Sequence, residues 1–169
     1  MNPRRATPAD AQGIAETHVA SWQAAYRGLI ADTVLDNLAV ADRRAQWEAR
    51  LAKGPSNLWV TGPDGHVSGF IYCCPSRDAE LPPPEFAELA ALYVRAEAWD
   101  TGCGYALCQA AFADMREDAA QTAIVWVLTD NARARRFYER VGFAPDGSVK
   151  DLTLYNVALP EVRYRRNLA

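Results

Sequence analysis

Histidine and cysteine are scarce in this chain, and their placement excludes most metal chemistry. His18 and His66 are the only histidines, and Cys73, Cys74, Cys103 and Cys108 contain no C-x-x-C pair. Structural zinc needs closely spaced ligand pairs, so no metal is expected. Cys73 and Cys74 sit in an apolar run and read as small core residues. No Gly-Lys-Ser/Thr occurs anywhere, which removes the P-loop. No apolar run approaches the roughly 20 residues of a membrane span. The opening M-N-P-R-R-A-T-P has no apolar stretch of the signal-peptide kind. A cytoplasmic location with no membrane partner is therefore expected. Basic charge is not in excess: 18 Lys and Arg face 21 Asp and Glu, for a net charge of −3. That argues against nucleic acid as a partner.

What is present is globular. Half of the 169 residues are hydrophobic and 23% are charged, which suits one domain over residues 1–169 with a sizeable core. Arg4 to Thr7 reads as a short strand, and Pro8 with Asp10 as a helix start. From Ala9 to about Arg27 the apolar positions Ile14, Val19, Trp22 and Tyr26 recur at helical intervals until Gly28. A second helical region, with a break, covers Thr33 to Leu51. Strands are expected at Asn57–Thr61 and Val67–Cys74, joined as a hairpin by the turn Gly62-Pro63-Asp64-Gly65. Pro75 to Pro84 must be a loop. A buried strand over Ala87–Val94 leads into a glycine loop and a helix from about Gly104 to Arg116. Another buried strand spans Thr122–Leu128, and a helix spans Asn131 to Val141. Two further strands are expected near Ser148–Leu154 and Glu161–Asn167. The order implies one mixed α/β sheet with antiparallel pairs at both ends.

Two stretches carry chemistry. The first, Trp99-Asp100-Thr101-Gly102-Cys103-Gly104, joins strand to helix. Such a junction points backbone N–H groups at an anion, and glycine lets the backbone approach a ligand or take positive φ. The dinucleotide fingerprint G-x-G-x-x-G fails here, because Leu107 holds the third glycine position. In the second, Asn131 and Tyr138 lie seven apart, two helical turns, while Phe137 and Val141 form an apolar pair suited to the core. On residues alone, Asn131 is equally a helix-start residue and Tyr138 a packing aromatic.

Together these stretches resemble the two signature motifs of the GNAT superfamily of acetyl-coenzyme A-dependent N-acetyltransferases. In that family a strand ends in Q/R-x-x-G-x-G/A, and a downstream helix carries Asn and, two turns later, Tyr. The segments S-W-Q-A-A-Y-R-G from Ser21 and Pro160 to Arg166 are similar to bacterial members. The resemblance covers nearly the whole chain. It implies a single-domain α/β fold with a mixed, mostly antiparallel twisted sheet flanked by helices. It also implies acetyl transfer from acetyl-CoA, as cosubstrate, to a primary amine of a small molecule or peptide. Alternative acceptors are a protein N-terminus or lysine, and the non-enzyme alternative is a silent acyl-CoA sensor. Many relatives form a homodimer.

The resemblance also assigns residues. The pantetheine arm would lie along Leu92, Tyr93 and Val94. The pyrophosphate would sit on N–H groups of Asp100, Thr101, Gly102, Cys103, Gly104 and Tyr105. Asn131 would bond the pantetheine chain, and Tyr138 would lie near the thioester sulfur. Glu88 matches a strand glutamate that some members use as base. The chemistry requires such groups: an ammonium must lose a proton before it attacks a thioester, and the departing thiolate welcomes one. Trp22 and Tyr26, in one i,i+4 stripe with His18, are expected either in the core or against the acceptor. No dense acidic cluster points to a polyamine or aminoglycoside. Arg163 to Arg166 is expected as an exposed strand with alternating side chains. Trp99, Asp100 and Thr101 depart from the family pattern and leave the loop without a cation. An exposed charge near a helix start is worth about 0.3–1 kcal/mol. A hydrogen bond to a charged group is worth about 1.5–3 kcal/mol. A working cradle is therefore expected despite Asp100.

Overall fold

The computed structural model describes residues 2–54, 57–63, 65–154 and 157–169. Its strands are β1 (Arg4–Arg5), β2 (Leu58–Thr61), β3 (Gly69–Pro75), β4 (Phe86–Val94), β5 (Thr122–Leu128), β6 (Ala144–Leu154) and β7 (Val157–Asn167). Its helices are α1 (Ala11–Ala25), α2 (Asp32–Asp36), α3 (Val40–Leu51), α4 (Cys103–Glu117) and α5 (Ala132–Arg140). The strand order is β1-β2-β3-β4-β5-β7-β6. The β4–β5 pair is parallel, and β1–β2, β2–β3, β5–β7 and β6–β7 are antiparallel. This is the mixed, mostly antiparallel α/β sheet expected from the sequence. The contacts divide the chain into two compact units, Met1–Tyr72 with Ala91–Ala111 and Cys73–Ala90 with Phe112–Ala169.

The first unit is organised by α1. Asp10 closes a capping box, accepting from the Thr7 backbone N–H at 2.8 Å, and Arg4 grips both its oxygens at 2.6 and 2.8 Å. Behind that cap, Ala11, Ile14, Ala15, Trp47, Leu51, Leu58, Val60, Val67 and Phe70 form one buried cluster. Thr17 donates to the Val67 carbonyl at 2.5 Å, and the Arg95 guanidinium reaches both Thr17 Oγ1 and that carbonyl. The end of β4 is thereby tied to α1. Gly69 is needed where β3 passes other elements closely. A Cβ there would meet Cys103 Sγ at 2.9 Å and the Tyr93 carbonyl oxygen at 3.2 Å. The expected hairpin is present as β2–β3, although Asp64 of its turn lies outside the described residues.

In the second unit β7 pairs with β5 over seven residues and with β6 beyond it. The tail is thus an interior strand, which corrects the expectation of an exposed one. Tyr164 is fully buried and Arg163 is 4% exposed. Both tail strands run longer than expected, because β6 carries its polar start across a bulge between Pro145 and Val149. The aromatic core joins Phe112 to Phe143 and Phe143 to Tyr138, with ring centroids 5.9 and 5.6 Å apart.

Candidate active site

In the first unit the strand-to-helix loop is braced from inside. The Trp99 indole donates to the Val94 carbonyl at 2.8 Å, and the Thr101 hydroxyl to the Ala98 carbonyl at 2.8 Å. Trp99, a departure from the family pattern, therefore ties the loop to the last residue of β4. Asp100 has φ +59° and Gly102 φ +86°. A short polar side chain tolerates the left-handed region better than most, so Asp100 occupies a position whose backbone demand explains the usual glycine. A Cβ on Gly102 would meet nothing within 4 Å. Asp100, Thr101, Gly102 and Tyr105 are exposed. The N-terminus of the 15-residue α4 thus opens on free space, with backbone donors that a helix leaves unpaired in its first turn. These features suit a phosphate-bearing ligand. Cys103 offers only its backbone, since its side chain is buried and burial pushes the thiol up to about 11. The uniform burial expected of β4 is limited to Ala87–Leu89, while Ala90 through Val94 are half-buried. Leu92, Tyr93 and Val94 are therefore partly open.

The same unit holds an aromatic group on α1. His18 stacks on Tyr93 at 4.8 Å, Trp22 lies 6.3 Å from Tyr93, and Tyr26 meets Trp22 edge-on at 5.0 Å. Trp22 is buried and Tyr26 half-buried. His18 Nδ1 accepts from the Trp47 indole N–H at 3.3 Å. Burial, assisted by the nearby Arg43 charge, lowers the His18 pKa to about 3.

In the second unit Asn131 caps α5: its Oδ1 accepts from the Ala134 N–H at 3.0 Å. That use leaves its NH2 group to donate elsewhere. Tyr138 is 7% exposed, packed between Phe137 and Phe143. The expected core pair is corrected at one of its two members. Phe137 is only half-buried, and the residues α5 and its cap send inward are Tyr138 and Val141. The expected pair thus holds at Val141, while Tyr138 takes the buried place expected of Phe137.

Glu88 is buried and paired. Its Oε2 accepts from Arg77 Nε at 2.9 Å and from the Arg77 backbone N–H at 3.3 Å, and its Oε1 accepts from Arg77 Nη2. Arg77 escaped the sequence reading because it lies in the proline loop, eleven residues away, where no periodicity marks a partner. Arg163 is the other hidden organiser. It bonds Asp78 at 3.0 Å, Asp146 at 2.7 Å and Ser148 Oγ at 2.6 Å, and the Trp126 indole also donates to Asp78. The Arg166 guanidinium donates to the Val141 carbonyl and covers Phe112. These tail arginines serve the fold.

A family model for the acetyltransferase (GNAT) family matches residues 19–143, a span that contains both motifs. The chain belongs to the GNAT family. It is 26% identical to "Probable N-acetyltransferase Rv2775" of Mycobacterium tuberculosis, over 96% of this chain and 91% of that one. Among solved structures, the GNAT chain resembles the PaiA N-acetyltransferase of Thermoplasma acidophilum in complex with coenzyme A. That match has a TM-score of 0.73 at 18% identity and covers 98% of each chain. It also resembles YncA of Salmonella typhimurium, a putative acetyltransferase with its cofactor acetyl-CoA. There the TM-score is 0.72 at 20% identity, covering 100% of this chain and 94% of the other. The enzyme class is therefore that of an acyltransferase. Among the described residues no group of three or more His, Cys, Asp or Glu is placed to hold a metal, and no helix is long and apolar enough to cross a membrane.

Proposed function

We propose that residues 1–169 form one catalytic domain that moves acetyl from acetyl-CoA to the primary amine of a small molecule or peptide by direct attack on the thioester. The observation that carries this reading is the braced loop, with Asp100 and Gly102 at positive φ and α4 opening on free space. Acetyl-CoA supplies the activated acetyl group. Backbone N–H groups from Asp100 to Tyr105 would hold its pyrophosphate, and Leu92, Tyr93 and Val94 would offer backbone partners to the pantetheine arm. The Asn131 NH2 would donate to that arm while its Oδ1 stays on the helix cap.

For the chemistry, Tyr138 gives its hydroxyl proton to the departing sulfur, a role open to a phenol placed beside it. Glu88 takes the amine's proton, directly or through water. Its pair with Arg77 fixes where the carboxylate oxygens sit. Trp22 and Tyr26 would face the acceptor. We place the protein in the cytoplasm as a homodimer, with no nucleic-acid or membrane partner.

The test is thiol release from acetyl-CoA across a panel of amines, followed by Tyr138→Phe and Glu88→Gln. Tyr138→Phe should lower kcat by roughly 10²–10⁴-fold, the usual worth of a positioned proton donor. Acetyl-CoA binding without release for any amine would favour the sensor alternative.

A further inference from the structure

Among the described residues, five buried side-chain polar atoms have no hydrogen-bond partner, and three of them lie on one face of α1. They are His18 Nε2, Ser21 Oγ and Trp22 Nε1, at spacings of three and four that share a helical face. All three residues are more than nine-tenths buried, at 8%, 2% and 8% exposure. Unpaired buried donors are costly, and natural structures rarely keep them without a reason. The neighbouring Thr17, on the same helix, is fully engaged with Val67 and Arg95. Within α1 the deficit is thus confined to this face, and the other two atoms, Thr61 Oγ1 and Thr129 Oγ1, lie apart from each other.

The chemistry of the unpaired atoms is definite. His18 Nδ1 receives the Trp47 N–H and so carries no proton of its own. The neutral ring then keeps its single proton on Nε2, which makes it a donor. Trp22 Nε1 can only donate, and Ser21 Oγ can donate or accept. An aromatic group of this kind often takes a cation. Here the face of Trp22 already carries the Arg43 guanidinium, 5.5 Å from the ring centroid. Two N–H donors and a nearby positive charge disfavour an ammonium and favour an oxyanion. Tyr93, stacked on His18, belongs to the strand segment assigned to the pantetheine arm.

We infer that His18, Ser21 and Trp22 form the acceptor-recognition site, and that the acceptor is a small primary amine carrying a carboxylate, of the amino-acid type. The carboxylate oxygens accept from His18 Nε2 and Trp22 Nε1, and the body of the molecule lies against Trp22 and Tyr26. This rests on the acetyltransferase reading, because it names that reaction's substrate class. It requires the α1 face to open enough to admit the ligand.

The test uses matched probes on the full chain, alone and with coenzyme A added: natural amino acids, each beside its decarboxylated amine. Binding is followed by calorimetry and by the indole N–H resonance of Trp22, identified as the signal lost in Trp22→Phe. At least one amino acid should bind, move that resonance, and outbind its decarboxylated partner by roughly ten-fold or more, the worth of a hydrogen bond to a charged group. Trp22→Phe keeps the ring and removes the N–H. His18→Asn keeps an acceptor for Trp47 and removes the Nε2 donor. Each should erase most of the preference for the carboxylate. Equal binding of both partners, no movement of the Trp22 resonance with any amino acid, or an undiminished preference in both variants would overturn the assignment. Wild-type binding of acetyl-CoA, measured separately, tests the acetyltransferase reading; its failure would leave the carboxylate result readable on the chain alone.

Discussion

Two clusters, one in each unit, treat buried polar groups in opposite ways. In the second, Glu88 accepts three hydrogen bonds from Arg77, and Arg163 is shared by Asp78, Asp146 and Ser148. In the first, His18, Ser21 and Trp22 keep polar atoms without partners. A satisfied network holds its members in place, for the fold at Arg163 and for the proposed proton transfer at Glu88. An unsatisfied one costs stability, which is tolerable where a ligand supplies the missing partner. The contrast separates polar groups the fold already holds from polar groups that can still take a partner.

The largest effect expected from breaking this comparison lies in the satisfied network. Arg163→Ala would leave the half-buried Asp78 and Asp146 without their shared cation, although Asp146 keeps Arg165, and should cost about 3 kcal/mol in denaturant unfolding. Acid should then weaken the first unit through His18. Its pKa is lowered by burial from 6.5 to about 3, so the unfolded chain binds the proton first as pH falls. Stability is full above about pH 6.5 and declines toward pH 3, by a few kcal/mol at most. Asp10, held near 2 chiefly by the Arg4 hydrogen bonds, adds a further decline below about pH 4. His18→Asn should flatten the upper part of the curve, measured as unfolding free energy against pH.

A smaller loss follows from steric crowding. Gly69→Ala would press a methyl against Cys103 Sγ and the Tyr93 carbonyl, and should cost about 1–3 kcal/mol. Trp99→Phe should be milder still: it removes the bond to the Val94 carbonyl, worth about 0.5–1.5 kcal/mol of stability. Its sharper consequence is a looser loop, and so weaker acetyl-CoA binding relative to the unfolding change.

Much of the fold was legible because its signals are local. The apolar run Thr122–Leu128 is bounded by polar residues and became β5 with the same limits. The Gly102-Cys103-Gly104 loop announced the start of α4. The remainder depends on partners distant in sequence. Nothing near Glu88 indicates that Arg77 will take both its oxygens, and nothing in Arg163-Tyr164-Arg165-Arg166 indicates an interior strand stabilised by Asp78 and Asp146. Asp100 looked like an electrostatic fault in a phosphate loop. Its positive φ shows a conformational role that composition cannot express. The stripe of His18, Trp22 and Tyr26 was visible, but its unpaired atoms emerge only once Trp47 and Tyr93 are packed around it.

The most direct test of the central claim is calorimetric titration of the intact chain with acetyl-CoA, with coenzyme A and NAD as comparisons. The account predicts micromolar binding of both coenzyme A compounds and none of NAD. Absence of acetyl-CoA binding would mean that Trp99, Asp100 and Thr101 have closed the cradle, and would contradict the proposed acetyl transfer.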